Sequence, residues 1–192
     1  MFIETFKTVD GLLQNIEYHQ YRVNRTLKAF NIKDRVELKS INFPKKGTFR
    51  CRVIYRDKIL KVEFFAIKKR EFKKLSFAYS DSIEYGYKYE NRDSLNNLKD
   101  KFLKESDEIL IIKNGLLTDT TISNIALFDG VEWVTPKTPL LKGTVRDRLL
   151  KEEKLRELDI PEISIFNYKK IALLNAILDF YLIESDIKDV IF

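Results

Sequence analysis

The stretch of residues 115–128, GLLTDTTISNIALF, sets the strongest constraint on how this chain can fold. Two apolar runs suited to buried strands are joined by the polar segment TDTTIS. Its hydroxyls and its one carboxylate, that of Asp119, would be costly to bury without hydrogen-bonding partners. Something in the folded protein must therefore satisfy these groups.

The composition is that of a globular protein with a sizeable core. The chain has 192 residues, of which 44% are hydrophobic and 12% aromatic, enough for one large domain or two small ones. The net charge of +6 favours anionic ligands or surfaces. Nucleic-acid binding is the least favoured function, because no basic stripe with interleaved aromatic residues forms a recognisable motif. A small anionic substrate is the expected partner.

Cysteine, histidine and hydropathy exclude several other classes. Cys51 is the only cysteine, so no intrachain disulfide is expected. The start, MFIETFKTVDG, lacks the basic and apolar regions of a secretory signal, and no apolar stretch approaches the ~18 residues of a membrane helix. We therefore expect a cytoplasmic protein without a membrane partner. One histidine and one cysteine leave little for a transition metal, so no metal site is expected.

Hydrophobic patterning divides the chain at the basic segment KKREFKK, residues 68–74, into a small domain over 1–74 and a larger one over 75–192. The first is predicted to be α+β, with strands over 2–8, 48–56 and 59–67 and a helix over 18–30. In the second, strands are predicted over 75–80, 108–113, 116–119, 124–129, 132–135 and 177–183, and helices over 91–105, 144–158 and 167–175.

Lys88 is a candidate nucleophile. It follows Gly86, precedes a predicted helix and is flanked by Tyr85, Tyr87 and Tyr89. Semi-apolar surroundings disfavour the ammonium form of a lysine, which makes its amine more reactive. The alternative is an ordinary solvated lysine, one of 35 basic residues in the chain.

Three further positions could bind an anion or a cation. Asp119 ends a strand among hydroxyls, where it could face a cation or a protonated heterocycle; a turn or cap is the alternative. Gly143 precedes a predicted helix that starts at Thr144, and unpaired N–H groups at helix N-termini bind phosphate, although many such sites are plain caps. Arg22 could give the same phosphate a fixed positive charge, unless it is a solvated helix-face arginine.

Four segments, taken in their order along the chain, resemble the class IV aminotransferase-like proteins of the pyridoxal-phosphate fold type IV superfamily. That superfamily includes branched-chain and D-amino-acid aminotransferases and 4-amino-4-deoxychorismate lyase. FIETFKTVDG with HQYR resembles its opening strand, turn and helix, and YKYENR its lysine segment in the form found in the lyases. GLLTDTTISNIALF with WVTP, and then LLKGTVR, resemble its two later blocks. The resemblance covers nearly the whole chain.

The resemblance implies a site for pyridoxal 5'-phosphate. Lys88 would hold the cofactor aldehyde as a Schiff base, and Asp119 would pair with the pyridine nitrogen and keep it protonated. Arg22 and the N–H groups of Thr144 and Val145 would bind the phosphate. The implied fold is the α/β (α+β), D-amino-acid aminotransferase-like fold, with a small N-terminal α+β domain and a larger C-terminal, barrel-like domain. Relatives are homodimers, so a homodimer is expected.

Departures from the family pattern bear on the reaction. Asp119 stands where the family usually has glutamate, and Asp93 stands where aminotransferases often have a tyrosine. The absence of that tyrosine and the lyase-like spacing of YKYENR favour a lyase of the folate pathway that releases pyruvate from 4-amino-4-deoxychorismate to give 4-aminobenzoate. The alternatives are a class IV aminotransferase acting on a branched-chain or D-amino acid, and a cofactor-binding protein with little activity.

Arg50 is the candidate for binding a substrate carboxylate. It shares one predicted strand face with Arg52 and Arg56, because strand residues at even spacing point to the same side. An exposed basic face without a ligand is the alternative interpretation.

Overall fold

A computed structural model describes residues 1–103 and 105–191 of the chain. They form two compact units that alternate along the sequence: residues 1–69 with 87–91, and residues 70–86 with the chain from residue 92 onward. The segment 87–91, which carries Lys88, therefore belongs to the N-terminal unit although it follows the first strand of the other. The predicted division into domains 1–74 and 75–192 stays a prediction.

The N-terminal unit is a four-stranded antiparallel sheet covered by one helix. Its strand order is β2-β1-β3-β4. Phe6 and Val23 are fully buried, and the ring of Phe6 lies 5.3 Å from that of His19 on the helix. The predicted strands and helix are confirmed within two residues. Their bounds are β1 Phe2–Val9, β2 Leu12–Leu13, α1 Ile16–Ala29, β3 Thr48–Tyr55 and β4 Ile59–Ala66.

The second unit is built on a branched eight-stranded sheet. The strands run in the order β10-β9-β8-β7-β6-β5, and β11 pairs with both β8 and β12. The elements are β5 Leu75–Tyr79, α2 Asp93–Phe102, β6 Glu108–Lys113, β7 Leu116–Thr120, β8 Asn124–Phe128, β9 Trp133–Pro136, α3 Thr144–Lys151, β10 Arg156–Leu158, β11 Lys170–Asn175, β12 Asp179–Ile183 and α4 Ile187–Val190, with a 3-10 helix over Glu162–Asn167.

Two helix predictions in this unit are wrong. The helix predicted over 144–158 ends at Lys151, because Glu153 adopts the left-handed conformation (φ 56°). The amide of Lys154 then donates to Leu149 O, the pattern of a Schellman C-cap. Residues 156–158 instead form β10, parallel to β9.

The helix predicted over 167–175 is also wrong, because this segment contributes the strand β11. Residues 171–174 are all buried, and β11 lies between β8 and β12 in the sheet. A strand covered on both faces has a continuous apolar sequence, which periodicity alone does not distinguish from a buried helix.

Candidate active site

The polar segment that runs from the end of β7 to the first residue of β8 is largely buried, and the protein itself supplies partners for its hydroxyls. Thr118 Oγ1 donates a 2.8 Å hydrogen bond to Ile111 O on β6. Thr121 Oγ1 donates to Glu108 Oε1 at 2.9 Å. These buried hydroxyls are therefore hydrogen-bonded within the protein, as the cost of burying them without partners requires. The buried members of the segment are Thr118, Asp119, Thr120, Thr121, Ser123 and Asn124.

Asp119 is held inside the second unit with only 4% of its surface exposed. Its Oδ1 accepts a 2.7 Å hydrogen bond from Asn124 Nδ2, and its Oδ2 accepts a 2.9 Å bond from the amide of Leu141. Burial raises the pKa of this carboxyl to about 7, although both hydrogen bonds and the charge of Arg146 act in the opposite direction. A cationic ligand beside Asp119 would therefore stabilise its ionised form.

We expect Asp119 to make the cofactor-free protein less stable as the pH rises. The pKa of Asp119 in the folded protein lies above the usual 3.8. Its stabilising contribution to the free energy of unfolding is therefore fully present below pH 3.8 and is lost as the pH rises through about 7. Relative to Asp119→Asn, the free energy of unfolding of the wild type should fall by on the order of 3 kcal/mol between pH 5 and 8. Urea denaturation at several pH values measures this. Comparing the two proteins cancels the titration of His19, and parallel curves would contradict the prediction.

The N-terminus of α3 presents backbone amides that the helix itself does not use. Gly143 precedes the helix without a side-chain cap, and the amide of Asp147 donates to Gly143 O at 2.9 Å. The amides of Thr144 and Val145 come before this bond, so they lie outside the helical hydrogen-bond pattern. Both residues are buried. Such a terminus suits a phosphate group.

Arg146 anchors α3 and was missed as a site residue from the sequence. Its side chain is 1% exposed, and Nη2 donates to Pro136 O at 2.8 Å and to Glu157 Oε1 at 2.5 Å. These bonds join the helix to β9 and β10. In the sequence, Arg146 could have been identified by its position directly after Thr144 and Val145, the predicted phosphate-binding residues.

In the N-terminal unit, Arg22 lies in a buried charge cluster rather than on a solvated helix face. Its Nε donates to Glu4 Oε1 at 2.8 Å, and its Nη2 donates to Glu4 Oε2 at 2.7 Å. His19 Nδ1 lies 2.7 Å from the same Oε2. Burial alone would raise the pKa of Glu4, but Arg22 and then His19 outweigh it and lower the pKa to about 2. Glu4 therefore holds the Arg22 guanidinium in a fixed plane.

Lys88 belongs to the same unit and lies near this cluster. Its carbonyl accepts a 2.9 Å hydrogen bond from the amide of Ile3, and its side chain is partly buried. The pKa of His19 is lowered mainly by burial, and the charges of Arg22 and Lys88 add to this effect while Glu4 opposes it. The lysine is thus close enough for its charge to act on the histidine. Arg22 and Lys88 thus lie in the same unit, and their roles in binding a cofactor stay predictions.

Arg50 is exposed on β3, and its guanidinium lies 4.7 Å from the ring centroid of Phe65. The contact of Arg50 with a substrate carboxylate stays a prediction. Arg52, on the same face of β3, lies close to Glu90 in the segment that carries Lys88. Arg52 Nη1 donates to Glu63 Oε2 at 2.8 Å, and Nη2 lies 3.6 Å from Glu90 Oε1.

Within residues 1–103 and 105–191, no helix is both long and apolar enough to span a membrane. Over the same part of the chain, no group of three or more histidine, cysteine, aspartate or glutamate side chains is arranged to hold a metal ion.

Comparison with known proteins assigns the family. The family model for amino-transferase class IV matches residues 82–185, more than half of the chain. The chain belongs to the class IV aminotransferase family. One relative, an uncharacterized protein of Haemophilus influenzae, is 35% identical over 182 residues, which cover 90% of this chain and 95% of that protein.

Solved structures confirm the predicted fold of this class IV protein. The crystal structure of a putative 4-amino-4-deoxychorismate lyase from Haemophilus somnus is 30% identical, with a TM-score of 0.82 over 93% of this chain and 96% of that one. The branched-chain amino acid aminotransferase of Escherichia coli is 13% identical and shares the fold, with a TM-score of 0.74 over 96% and 76% of the two chains. The prediction of a pyridoxal-phosphate-dependent enzyme of this class is confirmed.

Proposed function

We propose that this class IV protein is a pyridoxal-phosphate-dependent lyase that releases pyruvate from 4-amino-4-deoxychorismate and forms 4-aminobenzoate. The observation that carries the proposal is the nearly full-length, 30% identical match to the Haemophilus somnus protein. A putative aminodeoxychorismate lyase of Schizosaccharomyces pombe, 29% identical over 44% of this chain and 38% of its own length, points the same way. The proposal includes a small anionic substrate and a homodimeric assembly.

The chemistry of the side chains fits this cofactor. Pyridoxal phosphate has an aldehyde, a ring nitrogen and a phosphate, and the chain offers a group suited to each. A partly buried amine is present at Lys88, and a buried acid whose ionisation a cation would favour is present at Asp119. The amides of Thr144 and Val145 and the guanidinium of Arg22 are suited to phosphate.

Each residue then has a definite task in the proposed reaction. The bound cofactor supplies an electron-poor ring that stabilises negative charge on the substrate carbon. Lys88 Nζ would hold the aldehyde, and once released it would accept and return the proton of the substrate carbon that carries the nitrogen. Asp119 would pair in its ionised form with the protonated ring nitrogen. Glu4 orients Arg22 toward the phosphate.

A coupled assay tests the proposal. Protein supplied with pyridoxal phosphate and 4-amino-4-deoxychorismate should release pyruvate, detected with lactate dehydrogenase and NADH, together with an equal amount of 4-aminobenzoate. No amino acceptor is needed, because the substrate amine stays with the aromatic product. An amine-form cofactor and a keto acid produced from a branched-chain or D-amino acid, without pyruvate release, would instead identify an aminotransferase. A visible chromophore with neither reaction would identify a binding protein with little activity.

A further inference from the structure

Asn124 joins the buried acid to the loop that leads into α3. It is the first residue of β8 and the register partner of Asp119 on β7. Its Nδ2 donates one hydrogen bond to Asp119 Oδ1 and a second to Leu141 O, both 2.7 Å long. The amide of Leu141 donates back to Asp119 Oδ2 at 2.9 Å. Three hydrogen bonds therefore close a ring through one carboxylate, one side-chain amide and one loop residue.

The other end of the Asn124 amide lies against Gly143. A Cβ at position 143 would lie 2.0 Å from Asn124 Oδ1, far inside van der Waals contact. The backbone angles of Gly143, φ −81° and ψ 149°, suit any residue. Glycine is thus required here for space, and not for backbone conformation.

The two hydrogen bonds of Asn124 Nδ2 fix the orientation of its side-chain amide. Both groups that face Nδ2, the Asp119 carboxylate and the Leu141 carbonyl, are acceptors, so the NH2 end must point toward them. Rotation of Asn124 away from a side chain at 143 would break both bonds. It would leave a buried carboxylate oxygen and the partly buried Leu141 carbonyl without this donor, which is unfavourable.

We propose that Asn124 is a positioning residue that locks the carboxylate of Asp119 to the N-terminal end of α3, and that the lock requires glycine at position 143. The inference rests on the proposed function. There, Asp119 and the amides of Thr144 and Val145 bind opposite parts of one rigid ligand, so their separation must be fixed before it arrives. Aspartate has two side-chain torsions, and the ring of hydrogen bonds restrains both of them.

A four-protein set tests the lock: the wild type, Asn124→Ala, Gly143→Ala and the double variant. Thr135→Val is the matched control. It removes a buried 2.7 Å hydrogen bond, from Thr135 Oγ1 to Ile125 O, without touching Asp119. Asn124→Ser serves as a second variant if alanine prevents folding. Three quantities are measured: the unfolding transition of the cofactor-free protein, the dissociation constant for pyridoxal phosphate, and the titration of the Asp119 carboxyl by carbon-13 NMR.

Loss of Asn124 should weaken pyridoxal-phosphate binding by roughly tenfold to a hundredfold, because the Asp119 carboxylate would no longer be held in its binding orientation before the ligand arrives. It should also raise the pKa of Asp119, because a donor to the carboxylate is lost while the charge of Arg146 remains. Thr135→Val should lower stability and leave the dissociation constant within about twofold and the titration unchanged. Gly143→Ala should strongly destabilise the wild type and have little further effect when Asn124 is absent.

The results separate this inference from the proposed function. Absence of pyridoxal-phosphate binding by the wild type would overturn the proposed function, and with it the positioning role. Binding by the wild type, with Asn124→Ala and Asn124→Ser matching Thr135→Val in affinity and titration, would overturn the positioning role alone. Additive effects of the two single substitutions on unfolding would show that Asn124 is not what excludes a side chain at 143.

Discussion

Lys88→Ala is expected to abolish the visible absorbance of lysine-bound cofactor and to reduce turnover by at least about 10³-fold. In the proposed reaction the same Nζ makes the covalent bond to the cofactor and transfers the substrate proton, so one substitution removes both. The fold should be retained, because main-chain bonds hold the segment to β1. The amide of Ile3 donates to Lys88 O at 2.9 Å, and that of Glu90 to Met1 O at 3.1 Å.

The measurement is an absorbance titration with pyridoxal phosphate, followed by the pyruvate-release assay. Lys61→Ala is the matched control, since it removes an exposed lysine from β4 of the same unit. It should keep the absorbance and the turnover of the wild type. Retention of both by Lys88→Ala would mean that another amine binds the cofactor and would remove the chemical basis of the proposed function.

Most of the fold could be predicted from the sequence because its strands carry strong local signals. β3 and β4 are rich in β-branched and aromatic residues on either side of a short turn. The two wrong helix predictions have separate physical causes. β11 is buried between two strands, and a left-handed glutamate that ends a helix has no glycine signal.

The candidate site was predictable where residues act alone and was missed where they act through another residue. Lys88 and Asp119 stand out because their residue types imply chemistry at those positions. Glu4 and Arg146 do not, because their roles depend on partners that only the fold brings near. Glu4 contacts Arg22, 18 residues away, and Arg146 contacts Glu157 on another element. One signal for Glu4 was available, since it lies between Phe2 and Phe6 on the same face of β1.

Glu4→Ala should lower the free energy of unfolding at pH 7 by roughly 3 to 5 kcal/mol. The reason is the loss of the carboxylate that pairs with a buried guanidinium. Arg22 is 4% exposed and cannot move readily into water, and it would lose the two hydrogen bonds that it donates to Glu4. Urea denaturation of the cofactor-free protein gives the value. The control is Glu63→Ala, which breaks the partly exposed pair with Arg52 and should have a much smaller effect.

The isosteric variant Glu4→Gln separates charge from shape through the pH dependence. The folded pKa of Glu4, about 2, lies below the ordinary 4.5. The stabilisation is therefore present above pH 4.5 and is lost as the pH falls through 2, and it amounts to about 3 kcal/mol. The wild type should exceed Glu4→Gln in stability at pH 7, and the difference should shrink at pH 3. A difference that does not change with pH would show that shape, rather than the charge of Glu4, holds Arg22 in place.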